Sequence, residues 1–423
     1  MKGRVQPAGV LTPLGVAICC SLFGDLTLYA VLATQREVVG ISLAAVGIML
    51  GANRLIRIPG NPVAGMLIGR WGRRRAFIVG MALGVLAVAS FGLANGFLPF
   101  LLGRLAWGVA WALINVSGLA MVLDVSTPAN RGRLAGLYNA PMWLGFAGGP
   151  LVGGFLVDAW GFRAAMLACA GIAAFGLGVA LLWLPETATL GQGPGPRDGP
   201  ASPASLRLQL SARTRLRHRW EAVAPFGTVL CLILVTKFVN EGSVLSTLGM
   251  LLEQKVGATL TIKGFTLGLA SVSGLALALR SALAGASGPL AGQLADVWLG
   301  RGWTIGLALV AGALGLGVLF WATSPVAIVA GICLNALSDG ALLASLAAEL
   351  GDRIPTARRG PALGAFATAG DIGSTAGPFL SFALLPLAPV RWVYLICAGV
   401  LLVAVVIVWR RPVALGRMLA DEV

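Results

Sequence analysis

Twelve stretches of the chain are apolar for long enough to cross a membrane, and they come as six, a break, and six more. They run approximately over residues 11–33, 41–69, 76–95, 98–123, 133–157 and 162–184, then 222–250, 259–295, 303–322, 325–349, 361–385 and 391–409. A membrane helix takes about 20 apolar residues, because the hydrocarbon layer is about 30 Å thick and each residue rises about 1.5 Å. Hydrocarbon offers the backbone no hydrogen-bond partner, so such runs must satisfy their own amides as helices. Composition closes off a soluble alternative: charged residues are 11% of the 423 and hydrophobic ones 57%, whereas a soluble domain is about a quarter charged. The expectation is an all-α integral membrane protein with twelve transmembrane helices in two six-helix halves, residues 1–184 and 222–423. A linker at 185–221 joins them. Its Gly-Gln-Gly-Pro-Gly-Pro start at 191–196 cannot pack as a helix, while 205–220 has the makings of a basic helix on the membrane surface.

The net charge of +15, from 31 Lys and Arg against 16 Asp and Glu, raises the question of nucleic-acid binding. Its distribution answers it. One set of loops holds Arg70, Arg73, Arg74, Arg75, Arg131, Arg133, Arg301, Arg353, Arg358 and Arg359, together with the linker arginines and both chain ends. The opposite loops hold Arg36, Arg163, Lys255, Lys263 and Arg391. Basic residues collect on the cytoplasmic side, so both termini and the linker are expected there, in a multi-pass protein of the cell membrane. Nothing is left for a nucleic acid to explain.

Lys2 and Arg4 ahead of the first apolar run resemble the start of a signal peptide, but the run continues past Asp25 without a small-residue cleavage site, so an uncleaved first span is expected. All six cysteines lie inside apolar runs and the single histidine, His218, sits among the linker arginines. Neither a disulfide framework nor a metal site is therefore expected. No phosphate-binding loop occurs, so the chain does not use ATP itself, and no cofactor is expected.

The two halves repeat. With a shift of 228, Arg131-Gly132 falls on Arg359-Gly360, Asp124 on Asp352, Gly145 on Gly373, Gly149-Pro150 on Gly377-Pro378 and Arg163 on Arg391. A shift of 227 places Pro62-Val63-Ala64-Gly65 on Pro289-Leu290-Ala291-Gly292. Parallel six-helix repeats of this kind characterise one class of secondary transporter.

Three motifs carry a resemblance. After the second span come Gly65, Leu67, Arg70, Gly72, Arg73 and Arg74, mirrored in the second half by Gly292, Leu294, Ala295, Asp296, Gly300 and Arg301. The fourth span holds Gly103-Arg104-Leu105-Ala106-Trp107-Gly108, and the fifth holds Gly145, Gly149-Pro150 and Gly153-Gly154. Along essentially its whole length the chain resembles the major facilitator superfamily, whose loop motif reads G-x-L-A-D-R-x-G-R-K and whose antiporters carry G-x-x-x-G-P-x-x-G-G. The aspartate of the first loop motif is Gly69 here. The glycines are expected to let helix ends approach closely. The resemblance implies alternating access around a central cavity, with the loop motif and the acids Asp124 and Asp352 forming charge clusters. Since only Asp296 keeps the motif's acid, the second-half loop is expected to be the stronger latch, with Asp296 facing Arg133.

Charges inside apolar runs are costly and mark function or pairing. The acids are Asp25, Glu241, Asp339 and Asp371; the bases are Arg54, Arg57, Arg104, Lys237 and Arg280. Lys237 and Glu241, four residues apart on one helix, are candidates for a structural pair. Burial penalises a carboxylate's charge, so Asp25 is the first candidate to carry a coupling proton, followed by Asp371 and Asp339. Approach of Arg104 to Asp25 would couple proton release to transport.

Arg54, Arg57, Asn61, Arg104, Asn115, Glu241 and Arg280 are cavity candidates, with Trp107, Trp111 and Trp143 as apolar walls. The antiporter resemblance implies proton-coupled export of a lipophilic or amphipathic small molecule, by a monomer driven by the proton gradient. The arginines keep open transport of an organic anion or lysolipid. A membrane enzyme or sensor comes last, because no nucleophile–base pair or soluble catalytic domain is found.

Overall fold

The computed structural model describes residues 6–127, 130–187, 227–262, 265–353 and 359–409. The linker arginines, His218, Lys263, Arg358 and the chain ends lie outside the described residues.

Helix α1 (Pro7–Val31) starts with proline at its first turn, where a missing N–H costs nothing. A short α2 (Arg36–Val39) leads to α3 (Leu43–Leu55), whose Ser42 cap accepts the Ala45 N–H at 3.3 Å. The expected single span 41–69 is broken at Ile56, and α4 (Arg57–Trp71) resumes it. Pro59 has no N–H to offer the Leu55 carbonyl, which is where the helix gives way. Next come α5 (Arg73–Leu93), α6 (Phe97–Val125) and a 53-residue helical run, α7 (Arg131–Trp183). That run is two crossings joined at Gly161, whose φ of 79° is open to glycine and strained for other residues.

The second half opens with α8 (Gly227–Lys237), a π-helical turn (Phe238–Val244) and α9 (Leu245–Val256). The expected span from 259 to 295 is corrected. Strands β1 (Thr259–Ile262) and β2 (Phe265–Gly268) pair antiparallel, with Leu260 opposite Leu267, and the helix begins only afterwards. Alternation of threonine with leucine and isoleucine suits a strand better than a helix start. Then follow α10 (Leu269–Leu294) with a π-helical end (Ala295–Leu299), α11 (Arg301–Trp321), α12 (Pro325–Arg353), α13 (Arg359–Leu384) and α14 (Arg391–Trp409).

Nine of the described helical runs are long and apolar enough to span a membrane. Counting the two arms of α7 separately, and adding the broken α3–α4 pair and α13, gives twelve crossings among the described residues. Polarity is inverted relative to a soluble protein. Leu86, Phe175, Leu182, Trp321 and Val326 face outward, while Arg54, Arg104, Arg280, Asp25 and Asp339 are buried within. Lipid solvates the first set, and only protein can solvate the second.

Call the end where α1 starts and α14 finishes the near end, and the opposite one the far end. The two halves meet backbone to backbone toward the far end. A Cβ on Gly154 of α7 would overlap the Ala270 carbonyl of α10, and one on Gly274 would overlap the Pro150 carbonyl. On the other side of the bundle, a Cβ on Gly47 would lie 2.9 Å from the Pro378 carbonyl, and one on Gly51 2.6 Å from the Phe379 ring. Small residues allow this approach, which gains dispersion where lipid provides no hydrophobic drive. Asp158, near the end of the first arm of α7, adds a polar clasp by accepting the Ser271 N–H in the first turn of α10 at 2.7 Å.

Candidate functional site

The intramembrane charges converge between the halves. A small cavity of about 100 Å³ is lined by Asp25, Arg54, Arg57, Trp107, Trp111, Trp143, Glu241, Arg280 and Asp339. Toward the near end a larger one of about 420 Å³ is lined by Arg57, Asn61, Asn115, Lys237, Glu241 and Asp371. Arg57, Trp111, Trp143, Phe146 and Glu241 border both, so the two form one chamber with a wide and a narrow part.

Four carboxylates and five cations are paired around it. Asp25 meets Arg104, and the Asn53 amide donates to the same carboxylate at 3.4 Å. Arg280 reaches Asp339 at 2.8 Å and also donates to Asn240 and Asn335. The other two pairs cross from one half to the other: Arg54 to Glu241 at 2.6 Å and Arg57 to Asp371 at 2.5 Å. Lys237 also contacts Glu241, so the two residues do pair along their helix, but that carboxylate serves a second cation from the opposite half.

Local structure explains the placement. The break at Ile56 leaves Arg54 and Arg57 on either side of a helix interruption, near mid-membrane. The π-helical turn carries Glu241, and its Gly242 lies against Gly377, where any Cβ would overlap. Such turns widen a helix by one residue and re-aim its side chains. Tyr29 stands between two arginines. Its ring lies 5.5 Å from the Arg54 guanidinium and 5.6 Å from that of Arg104, and its hydroxyl accepts from Arg54 Nε at 3.1 Å.

Arg104 departs from expectation: it does not line the chamber. Fully buried, it donates to the Met49 carbonyl at 2.8 Å and touches Asp25 from behind. A guanidinium needs several acceptors to leave water, and they are found between helices rather than at the cavity wall. Trp107 and Trp111 stack with centroids 6.4 Å apart, and Trp143 meets Phe146 edge-on at 5.6 Å.

The motif residues divide by role. Gly145, Gly149 and Gly153 pack against α1, whereas Gly154 and Pro150 meet α10. Their repeat mates do the same in the second half: Gly373 and Gly377 pack against α8 and its π-turn, and Pro378 meets α3. Gly65 and Gly292 are corrected, since a Cβ on either would touch nothing within 4 Å. Gly72 instead supplies a φ of 85° at the turn into α5.

At the near end Arg73 binds Asp124 at 3.0 Å, while Arg301 binds Asp352 and lies 3.5 Å from Asp296. Asp296 therefore answers to Arg301, five residues on at the start of α11, and the expected approach to Arg133 is not made. The first-half cluster is the more buried of the two, since Asp124 is 10% exposed and Asp352 63%. Glu186, after α7, accepts the Arg73 and Arg74 N–H groups at 3.1 and 3.2 Å. It brings an acid to the loop where Gly69 has none. Arg70 is exposed. Asn53 and Phe146 at the chamber, Tyr29 beside it, and Asp158 and Glu186 at the two ends of the bundle make contacts that the sequence did not single out; of these, Tyr29 alone carried a signal, lying four residues beyond Asp25 on the same helix face.

A family profile for the Major Facilitator Superfamily matches residues 14–278 and 266–417. The chain belongs to that superfamily. That is a family of transporters and not of enzymes, and the curated relatives fit its drug and metabolite branch. One of them, a multidrug resistance protein B homolog of Mycobacterium tuberculosis, is 29% identical over 161 residues, covering 37% of this chain and 29% of that protein. The chain spans about a third of the length of the curated relatives it matches.

Among solved structures, a bacterial homolog of the human lysosomal transporter Spinster, in an inward-facing and occupied conformation, aligns with a TM-score of 0.74 at 15% identity, covering 94% of this chain and 95% of that one. A peptide transporter, POT, in complex with alafosfalin aligns with a TM-score of 0.77 at 15% identity, covering 97% and 98%. These likenesses establish the shared fold.

Proposed function

We propose that this transporter exports lipophilic or amphipathic small molecules across the cell membrane by alternating access, driven by the proton gradient. The observation that carries the reading is the chamber itself. Two ion pairs, Arg54–Glu241 and Arg57–Asp371, tie the halves together across a cavity walled by tryptophan. Each pair joins elements that must separate if the halves rock. Protonating Asp371 would cancel one tie, and Arg57 would then lack its counter-charge. Asp25 offers a second proton site, whose protonation would leave the buried Arg104 uncompensated until the helices rearrange. Losing one partner of a buried pair costs about 3–5 kcal/mol, enough to drive such a rearrangement.

Loop arginines support an orientation with the near end, both termini and the linker in the cytoplasm. With the far-end seam shut, the described conformation then faces inward. Multidrug-resistance names among the relatives support export as the direction. A single chain holds the whole chamber, which supports a monomer as the working unit.

The test is proton flux in liposomes holding the purified protein, challenged with lipophilic cations, anions and neutral compounds. A compound-dependent proton flux that stops when an uncoupler collapses the gradient is expected. Silence with every class would reject proton-coupled transport.

A further inference from the structure

We infer that the chamber selects substrates carrying one anionic group, a carboxylate, sulfonate or phosphate monoester, on an apolar body of aromatic size. The inference rests on the transporter reading above and concerns its substrate. Charge balance carries it. Asp25, Asp339 and Asp371 each neutralise one arginine: Arg104, Arg280 and Arg57. Glu241 alone is shared, between Arg54 and Lys237. Among the described residues the chamber is therefore one positive charge in excess, and the excess sits at a known place.

That place is open to a ligand. The Lys237 and Glu241 side chains are 17% and 31% exposed, and both line the wide part of the chamber. An acid group arriving there finds an ammonium whose carboxylate is already engaged by Arg54, with the Arg57 guanidinium on the same wall. Charge-assisted hydrogen bonds to such cations are the strong kind. Trp143 and Phe146 border the same space and would cover an apolar ring.

Occlusion sharpens the preference. Closing the chamber between two halves in lipid removes water, and an unbalanced charge becomes expensive in low dielectric. One anion brings the site to neutrality. A neutral molecule leaves the excess in place, and a cation doubles it. The chamber thus discriminates against the organic cations that the same tryptophan wall would otherwise accept.

Three probes of one shape test this: radiolabelled naphthalene-2-sulfonate, 2-naphthol and trimethyl-2-naphthylammonium, bound to the purified protein in lipid nanodiscs with empty discs subtracted. The sulfonate should bind at least about tenfold tighter than the naphthol, and the ammonium weakest of all. Lys237→Gln should remove most of the sulfonate's advantage, and Lys237→Arg should keep it. Glu241→Gln frees both cations and should strengthen sulfonate binding, a gain that misfolding cannot imitate. Tightest binding of the ammonium, or a sulfonate preference untouched by both Lys237→Gln and Glu241→Gln, would overturn the inference. Flux of the same probes into liposomes keeps the two readings apart. Selective sulfonate binding without flux would sustain the site and defeat transport, whereas flux of the permanently charged ammonium alone, above that of empty liposomes, would do the reverse.

Discussion

Removing the Asp158 carboxylate should unlock the far end of the bundle. Asp158 on α7 accepts the Ser271 N–H at 2.7 Å, so one half caps the first turn of a helix belonging to the other. Losing a helix cap costs about 0.5–2 kcal/mol, and a charge at a helix N-terminus adds about 0.3–1 kcal/mol. The contact can exist only while the seam is shut, so its whole value biases the closed state. A loss of about 1–2 kcal/mol shifts a two-state population roughly 5- to 30-fold.

Asn139 of α7, which also lines the wide part of the chamber, offers a reporter. In a background without native cysteines, Asn139→Cys should react with an impermeant maleimide from outside intact cells, and Asp158→Ala should speed that reaction by about 5- to 30-fold. Gly268 supplies an independent control. A Cβ there would overlap the Asp158 carboxyl group, while the backbone φ of −71° suits any residue. Gly268→Ala should therefore evict Asp158 and reproduce its loss, and the double variant should behave like either single one. Unchanged labelling in Asp158→Ala, or full additivity of the two substitutions, would refute the clasp.

Arg104→Leu strands Asp25 in a buried site and should destabilise the protein by about 3–5 kcal/mol, with much of that recovered when Asp25→Leu is added; thermal retention of the monodisperse peak checks both. Gly377→Val should destabilise by about 1–3 kcal/mol through overlap with Gly242, whereas Gly292→Ala, facing open space, should be silent in the same assay. A cysteine placed in the 185–221 linker should resist an impermeant reagent until cells are permeabilised. Labelling in intact cells would contradict the orientation.

Much of the fold was legible because lipid enforces it. Long apolar runs, positive loops and a constant offset between halves all express one requirement, that spanning segments be helical and oppositely directed. Departures came where local chemistry overrode hydropathy. Pro59 split the second span, and the apolar run from 259 conceals a hairpin whose threonine alternation is masked when hydropathy alone is followed.

The site divides in the same way. Charged residues in apolar runs announce themselves, and Lys237 with Glu241 could be paired by helical spacing. Glu241 and Arg54 are 187 positions apart, and no spacing rule connects them. Arg104 was legible as an intramembrane charge but not as packed away from the chamber, since its neighbours come from α1 and α3. Glu186 escaped notice because it replaces the absent loop acid from a distant helix end, and Asp158 because it looks like a solvated residue at a loop edge.

Uphill transport and downhill exchange, measured on the same liposomes, decide whether proton-bearing carboxylates at the chamber drive the rocking of the halves. Asp25→Asn and Asp371→Asn are compared with wild type, each after its insertion and monodispersity are verified. At least one substitution should abolish accumulation against a gradient while leaving exchange at equal concentrations intact. Accumulation unchanged in both variants would contradict it.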